Sequence, residues 1–142
     1  KTCNCIRKEE CPLNNQCLSK NIIYEATLIT NNNIEKKSIG SCSTTFKQRY
    51  ANHKKSFTTS KYKNSTTLAV EYWKQKDLEN DPSITWDIIK RTKSYTPETN
   101  RCNLCGTEKF EIATKNNLLN KRSEILAKCR HRRKFLLTSL GN

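Results

Sequence analysis

Ile22-Ile23-Tyr24-Glu25-Ala26-Thr27-Leu28-Ile29-Thr30, followed by Asn31-Asn32-Asn33 and a second run ending in Ser38-Ile39-Gly40, is the stretch on which the fold turns. Ile22, Tyr24, Ala26 and Leu28 alternate onto one side of an extended chain. Ile23, Thr27 and Ile29 fall on the other. The three asparagines tolerate positive φ and mark a turn. A hairpin centred near Asn31 sets Tyr24 across from Ser38, and the second strand stops at Gly40.

Outward from this hairpin the pattern changes period. Ser43, Thr44 or Thr45 can cap a helix running to about Phe57, with Phe46, Tyr50 and Phe57 as its apolar positions. Ser65 or Thr66 can cap a second helix carrying Leu68, Tyr72 and Trp73. Pro82 ends that region, and Ile84-Thr85-Trp86-Asp87-Ile88 alternates as a third strand. A helix starts near Cys105 and carries Glu108, Phe110 and Ile112. A last basic helix runs from about Lys121 to Leu137, with Ile125, Leu126 and Phe135 facing inward. The expected class is α+β, a small three-stranded antiparallel sheet flanked by helices. Residues 1–20 form a Cys-rich knuckle ahead of one domain over 21–142.

The 142 residues carry 27 Lys and Arg against 13 Asp and Glu, a formal net charge of +14. Mean hydropathy is −0.87. Such a charge points to a polyanionic partner, nucleic acid ahead of an anionic membrane surface. No run approaches a membrane span. The chain starts at Lys1 and contains no Met, which suggests a piece of a longer protein.

Eight cysteines in a chain without a signal peptide pose a choice between metal and disulfides. The tight pairs Cys3-x-Cys5 and Cys102-x-x-Cys105 suit tetrahedral zinc better. Cys3, Cys5, Cys11 and Cys17 make one four-thiolate set. Cys102, Cys105, Cys129 and His131 make a second. Cys42 is left over and reads as a small core residue. The second set would tether the Glu108 helix to the last helix.

Tyr24, Ser38, Arg49, His53, Glu108 and Asn120 could together do chemistry. Phosphodiester hydrolysis needs a positioned and deprotonated water, and a countercharge for the transition state. It also needs help for the leaving oxygen, usually from a divalent ion. Arg49 can grip phosphate with a bidentate fork. Arg49 and His53, four residues apart, share a helix face. Tyr24 and His53 can pass a proton. Glu108 can hold Mg²⁺, which keeps most of its waters. Asn120 can orient a side chain or bridge to phosphate. Taken singly, each residue also has a purely structural reading: a half-buried strand tyrosine, a solvated helix face, an exposed acid, a helix cap.

The joint pattern is more specific. Ile22-Ile23-Tyr24, Ser38-Ile39-Gly40, Arg49-x-x-x-His53, Glu108 and Asn120 resemble the GIY-YIG endonuclease family. More closely, the chain resembles the endonuclease domain of Penelope-like retroelements. The matching stretches are Phe46 to Phe57, Lys61-Tyr62-Lys63-Asn64, Arg101 to Lys109, and Leu118 to His131. The resemblance implies a GIY-YIG-like sheet with an N-terminal zinc knuckle and an inserted zinc site. It implies that Tyr24 orients the attacking water, Arg49 stabilises the transition state and His53 accepts a proton. Glu108 would bind Mg²⁺ or Mn²⁺, and Asn120 would support the site. It further implies nicking of double-stranded DNA to leave a 3′ hydroxyl that primes reverse transcription in the nucleus. The reverse transcriptase of the same polyprotein would be a partner, with element RNA a further one and no membrane. Two positions depart from the family pattern: Ile22 stands for Gly, and Ser38 for Tyr. The other reading is therefore a non-catalytic, zinc-dependent nucleic-acid-binding module.

Lys54, Lys55, Lys121, Arg122, Arg130, Arg132 and Arg133, with Lys128 and Lys134 beside them, are the candidate phosphate contacts. Such contacts would make binding salt-dependent. A basic helix alone does not specify a sequence.

Overall fold

The computed structural model describes residues 1–94, 102–126 and 129. Strands β1 (Ile22–Ile29), β2 (Glu35–Cys42) and β3 (Ser83–Arg91) form one antiparallel sheet in the order β2-β1-β3. Helices α1 (Phe46–Thr58) and α2 (Thr67–Asp77) separate β2 from β3, and α3 (Asn103–Thr114) and α4 (Arg122–Leu126) follow. The chain is thus α+β, as its sequence patterns suggest.

Because β1 is central, both its faces are buried. Ile22, Tyr24, Ala26 and Leu28 pack with Phe46, Leu68 and Trp86. On the opposite face Ile23 packs with Ile39, Leu104 and Ile112, the last two from α3. A bulge between Ile23 and Tyr24 shifts the β1–β3 register. Below the sheet, the Lys36 ammonium reaches Glu71 of α2 at 2.6 Å.

The helix starts follow local chemistry. Thr45 Oγ1 accepts the Gln48 amide at 3.3 Å, and Thr66 Oγ1 accepts the Ala69 amide at 3.0 Å. Cys102 caps α3 through a Cys105 amide to Sγ bond of 3.4 Å, so that helix starts at Asn103 rather than near Cys105. At α4 the Glu124 carboxylate accepts the Lys121 amide, a capping arrangement without a Ser or Thr.

Three expectations need correction. The hairpin pairs Tyr24 with Gly40 and Ala26 with Ser38, so Tyr24 does not lie across from Ser38. Asn33 takes the left-handed φ of 62°, and the loop closes through Thr30 and Ile34. This centres the hairpin one residue later than Asn31 and moves every partner by two. Strand β2 therefore runs on past Gly40 to Cys42, and β3 extends to Arg91. Leu126, expected inward, is 74% exposed, while Ile125 packs against the α3 side of the sheet. Phe135 and the remainder of the expected last helix lie outside the described residues.

The N-terminal knuckle docks onto the sheet. Leu13 joins the core cluster of Ile22 and Phe46. The Phe46 and Lys47 amides, at the head of α1, donate to the carbonyls of Ser19 and Cys17 at 2.9 and 2.8 Å. Asn14 and Asn15 supply the left-handed turns of the knuckle loop.

Edge strand β2 is covered on its outer side. Lys37 forms a parallel bridge with Leu118, and the Leu119 amide donates to the Lys37 carbonyl at 2.8 Å. Two residues further along β2, at Ile39, Asn120 continues this ladder with its side chain. Its Oδ1 accepts the Ile39 amide at 2.7 Å, and its Nδ2 donates to the Ile39 carbonyl at 2.9 Å.

Candidate active site and metal centres

Tyr24 is the centre of the candidate site. Its ring leans across β2 above Gly40, packs edge-on against Phe46 with centroids 5.2 Å apart, and tilts against Trp86 at 5.7 Å. Its hydroxyl meets His53 Nε2 at 2.8 Å. His53 is itself wedged between Trp86 and Phe57, at 5.0 and 6.1 Å between ring centroids.

This aromatic packing sets the protonation states. Burial pushes the Tyr24 phenol well above its ordinary range, opposed by the positive charge of Arg49 and helped by Cys42 and Glu108. Burial, with Arg49 adding to it, pushes His53 down to about 4. At neutral pH the pair is therefore a neutral phenol bonded to a neutral imidazole. Arg49, half-buried one helical turn before His53, acts on Tyr24, His53 and Cys42 alike. Cys42 is buried in the core, outside both cysteine clusters, and burial raises its thiol to about 11.

Glu108 arrives from α3, on the other face of the sheet. Its Oε1 accepts the Ser41 hydroxyl at 2.8 Å, and its charge is felt at Tyr24. Tyr24 and His53 thus meet directly, and the charges of Arg49 and Glu108 act on the same phenol, Glu108 from the other face of β2 beside Ser41. Asn120 supports them from outside: its carboxamide is engaged by the Ile39 backbone and, at 3.1 Å, by Glu124. That geometry suits holding β2 in place rather than reaching a phosphate. Ser38 is buried on the Tyr24 face of β2, beside Ala26 and two residues from Gly40.

Ser41 escaped the sequence reading. Its only signal was strand alternation, which turns Ser41 away from Tyr24 and toward α3. The steric part of Gly40 was equally hidden, since its φ is not positive and no turn requires glycine there. A Cβ at Gly40 would lie 2.4 Å from both Cζ and Oη of Tyr24.

Both cysteine clusters have the geometry of metal sites. The thiols of Cys3, Cys5, Cys11 and Cys17 lie within 4.8 Å of one another, as do those of Cys102, Cys105 and Cys129. Cys5 and Cys17 sulfurs are 3.7 Å apart, and Cys3 and Cys17 sulfurs 3.6 Å. A zinc tetrahedron with Zn–S bonds of about 2.3 Å has edges of about 3.8 Å, whereas a disulfide closes to about 2.0 Å. Backbone amides also point at the sulfurs: Cys5 at Cys3, Leu13 and Asn15 at Cys11, and Asn4 at Cys17. Those amides help to offset thiolate charge. Against burial, they and the neighbouring thiols bring Cys11 down to about 6. The two clusters could hold metal ions and are compatible with zinc. The expected fourth ligand of the second cluster, His131, lies outside the described residues.

Lys54 and Lys55 are exposed on α1, and Lys121 and Arg122 at the head of α4. Lys128, Arg130, Arg132, Arg133 and Lys134 lie outside the described residues. No helix among the described residues is long and apolar enough to cross a membrane.

No family model, no curated protein and no solved structure matches the chain.

Proposed function

We propose that the chain is a metal-dependent DNA endonuclease domain of GIY-YIG type, resembling that of Penelope-like retroelements, with zinc in its two cysteine clusters. The observation that carries the reading is the buried Tyr24 Oη to His53 Nε2 bond of 2.8 Å, with the Arg49 and Glu108 charges acting on the same phenol.

The neutral imidazole gives the chemistry its direction. A water beside Tyr24 attacks the phosphorus and passes its proton to the phenol oxygen. The phenol in turn releases its own proton to His53 Nε2. The bond from phosphorus to O3′ breaks, and the departing oxygen takes a proton from solvent, leaving a 3′ hydroxyl and a 5′ phosphate. Arg49 meets the negative charge that builds on the phosphoryl oxygens. The Glu108 carboxylate, aimed by Ser41, would hold Mg²⁺ or Mn²⁺, which stabilises the leaving oxygen when bound. Asn120 keeps β2, and with it Gly40, in register under the Tyr24 ring. In a retroelement protein such a nick supplies the primer for reverse transcription, which places the chain in the nucleus beside its polymerase.

One observation favours the second reading, a non-catalytic nucleic-acid-binding module. Ser38 supplies a short hydroxyl where the family has a phenol, and it lies against Ala26 rather than against Tyr24. Nicking of supercoiled DNA by zinc-replete protein, with Mg²⁺ or Mn²⁺ added, separates the two. The nuclease reading expects nicking that Glu108→Ala abolishes. Undiminished nicking in Glu108→Ala sinks the site, and DNA binding without any nicking leaves the binding module.

A further inference from the structure

Beside the candidate site lies a cavity of about 330 Å³ between α1 and the segment leading into α2. Buried His53 and half-buried Arg49 line it together with Asn52, Lys55, Tyr62 and Thr66. No carboxylate lines it among the described residues. Tyr62 sits on a single 3₁₀ turn, Ser60–Tyr62, where its ring gathers two cations: the Lys55 ammonium is 5.1 Å from the ring centre and that of Lys61 5.5 Å. A ring within reach of two ammonium groups restrains flexible side chains that would otherwise sweep the solvent.

We propose that this cavity seats the backbone phosphate next to the scissile one on a bound DNA strand, and that Tyr62 is the positioning residue that orders Lys55 for that contact. Arg49, Asn52 and Lys55 line the same cavity, so a strand that lays one phosphate against Arg49 can bring its neighbour to Lys55. The hydroxyl and amide groups of Thr66 and Asn52 supply neutral hydrogen bonds to phosphate oxygens, and Lys55 the charge. The choice of scissile neighbour rests on the nuclease reading, but the phosphate contact does not require cleavage.

The test is binding of a fluorescein-labelled 30-base-pair duplex by zinc-replete protein in Mg²⁺-free buffer, across a salt series. Each phosphate contact contributes about 0.9 to the slope of log affinity against log salt. Lys55→Ala is expected to lower that slope by about one contact. Tyr62→Leu should do nearly the same, Tyr62→Phe should retain the wild-type slope, and the Lys55→Ala/Tyr62→Leu double variant should add little. Lys76 is the matched control, an exposed lysine 4.9 Å over the Trp73 ring and outside this cavity. Its Lys76→Ala variant should leave the slope unchanged. An unaltered slope in Lys55→Ala, or an equal loss in Lys76→Ala, overturns the proposal. So does a wild-type chain that does not bind the duplex. The expected slopes without nicking in Mg²⁺ would remove the nuclease reading and leave the phosphate seat standing. Nicking with an unaltered Lys55→Ala slope would do the reverse.

Discussion

The Tyr24 ring lies so close over Gly40 that a Cβ there would stand 2.4 Å from the phenol oxygen. Glycine is thus required by the tyrosine above it, not by its own backbone angles. Gly40→Ala would ordinarily stabilise a strand by reducing unfolded-chain freedom. Here the sign reverses: overpacking costs about 1–3 kcal/mol. Displacing the phenol should also lower nicking on the order of 100-fold. Urea unfolding and plasmid nicking measure the two effects. A Gly40→Ala protein as stable and as active as the parent would refute the close contact.

Removing the Tyr24 hydroxyl separates packing from proton transfer. Tyr24→Phe keeps the ring against Phe46 and Trp86 and deletes only the bond to His53. We expect a fall in the nicking rate of about 10² to 10⁴, with little change in DNA affinity. Ser38→Tyr tests the other end of the site and should raise the rate roughly tenfold. A rate unchanged by Ser38→Tyr would mean that position 38 takes no part in the reaction.

His53 should make the fold sensitive to acid. Its pKa is about 4 when folded and 6.5 when exposed. Between those values the unfolded chain binds the proton and the folded chain does not. Stability therefore rises with pH through the window from about 4 to 6.5, and is lost as pH falls through it. The full effect is on the order of 3 kcal/mol. Thiolate protonation with loss of metal acts in the same direction, so the measurement is the difference between wild type and His53→Gln. The variant's unfolding free energy should vary less over this window.

Asn120 acts as a side-chain extension of the sheet. Each of its two bonds to Ile39 is worth about 1 kcal/mol, so Asn120→Ala should cost about 2 kcal/mol. Asn120→Asp discriminates further, because a carboxylate accepts from the Ile39 amide but cannot donate to its carbonyl, and it faces Glu124. It should be no better than alanine. Full stability in Asn120→Asp would contradict the clamp.

The sheet, its faces and the short Ser/Thr runs that hold the two caps were legible because alternation and capping are local properties; which hydroxyl caps was not, since adjacent Ser and Thr look alike in sequence. Register was not: it depends on which asparagine takes positive φ, and the three adjacent candidates look alike in sequence. The site was half legible. Arg49 and His53 share a helix, so their spacing speaks directly. The Ser41–Glu108 and Ile39–Asn120 contacts join positions 67 and 81 residues apart. Only the folded topology brings such positions together. The protonation of Tyr24 and His53 was invisible for a related reason, since it follows from Trp86, Phe46 and Phe57 closing around them.

Metal content gives a last measurable expectation. If both clusters hold zinc, Cys17→Ser should reduce it from two ions to one per chain, leaving the cluster of Cys102, Cys105 and Cys129 intact. Elemental analysis of the purified protein reads this directly. Loss of both ions would show the clusters to be a single cooperative unit.

The anchoring of α1 gives the two clusters a joint meaning. The carbonyl of Cys17 accepts the Lys47 amide in the first turn of the helix of Arg49 and His53, while Cys102 caps the helix of Glu108 through the Cys105 amide. An ion in each cluster would thus secure a different half of the candidate site. On the proposed function, such a protein would not fade in proportion to its metal supply when metal is scarce. Its working fraction would fall as the product of two occupancies, a coincidence detector in which either vacancy silences the whole.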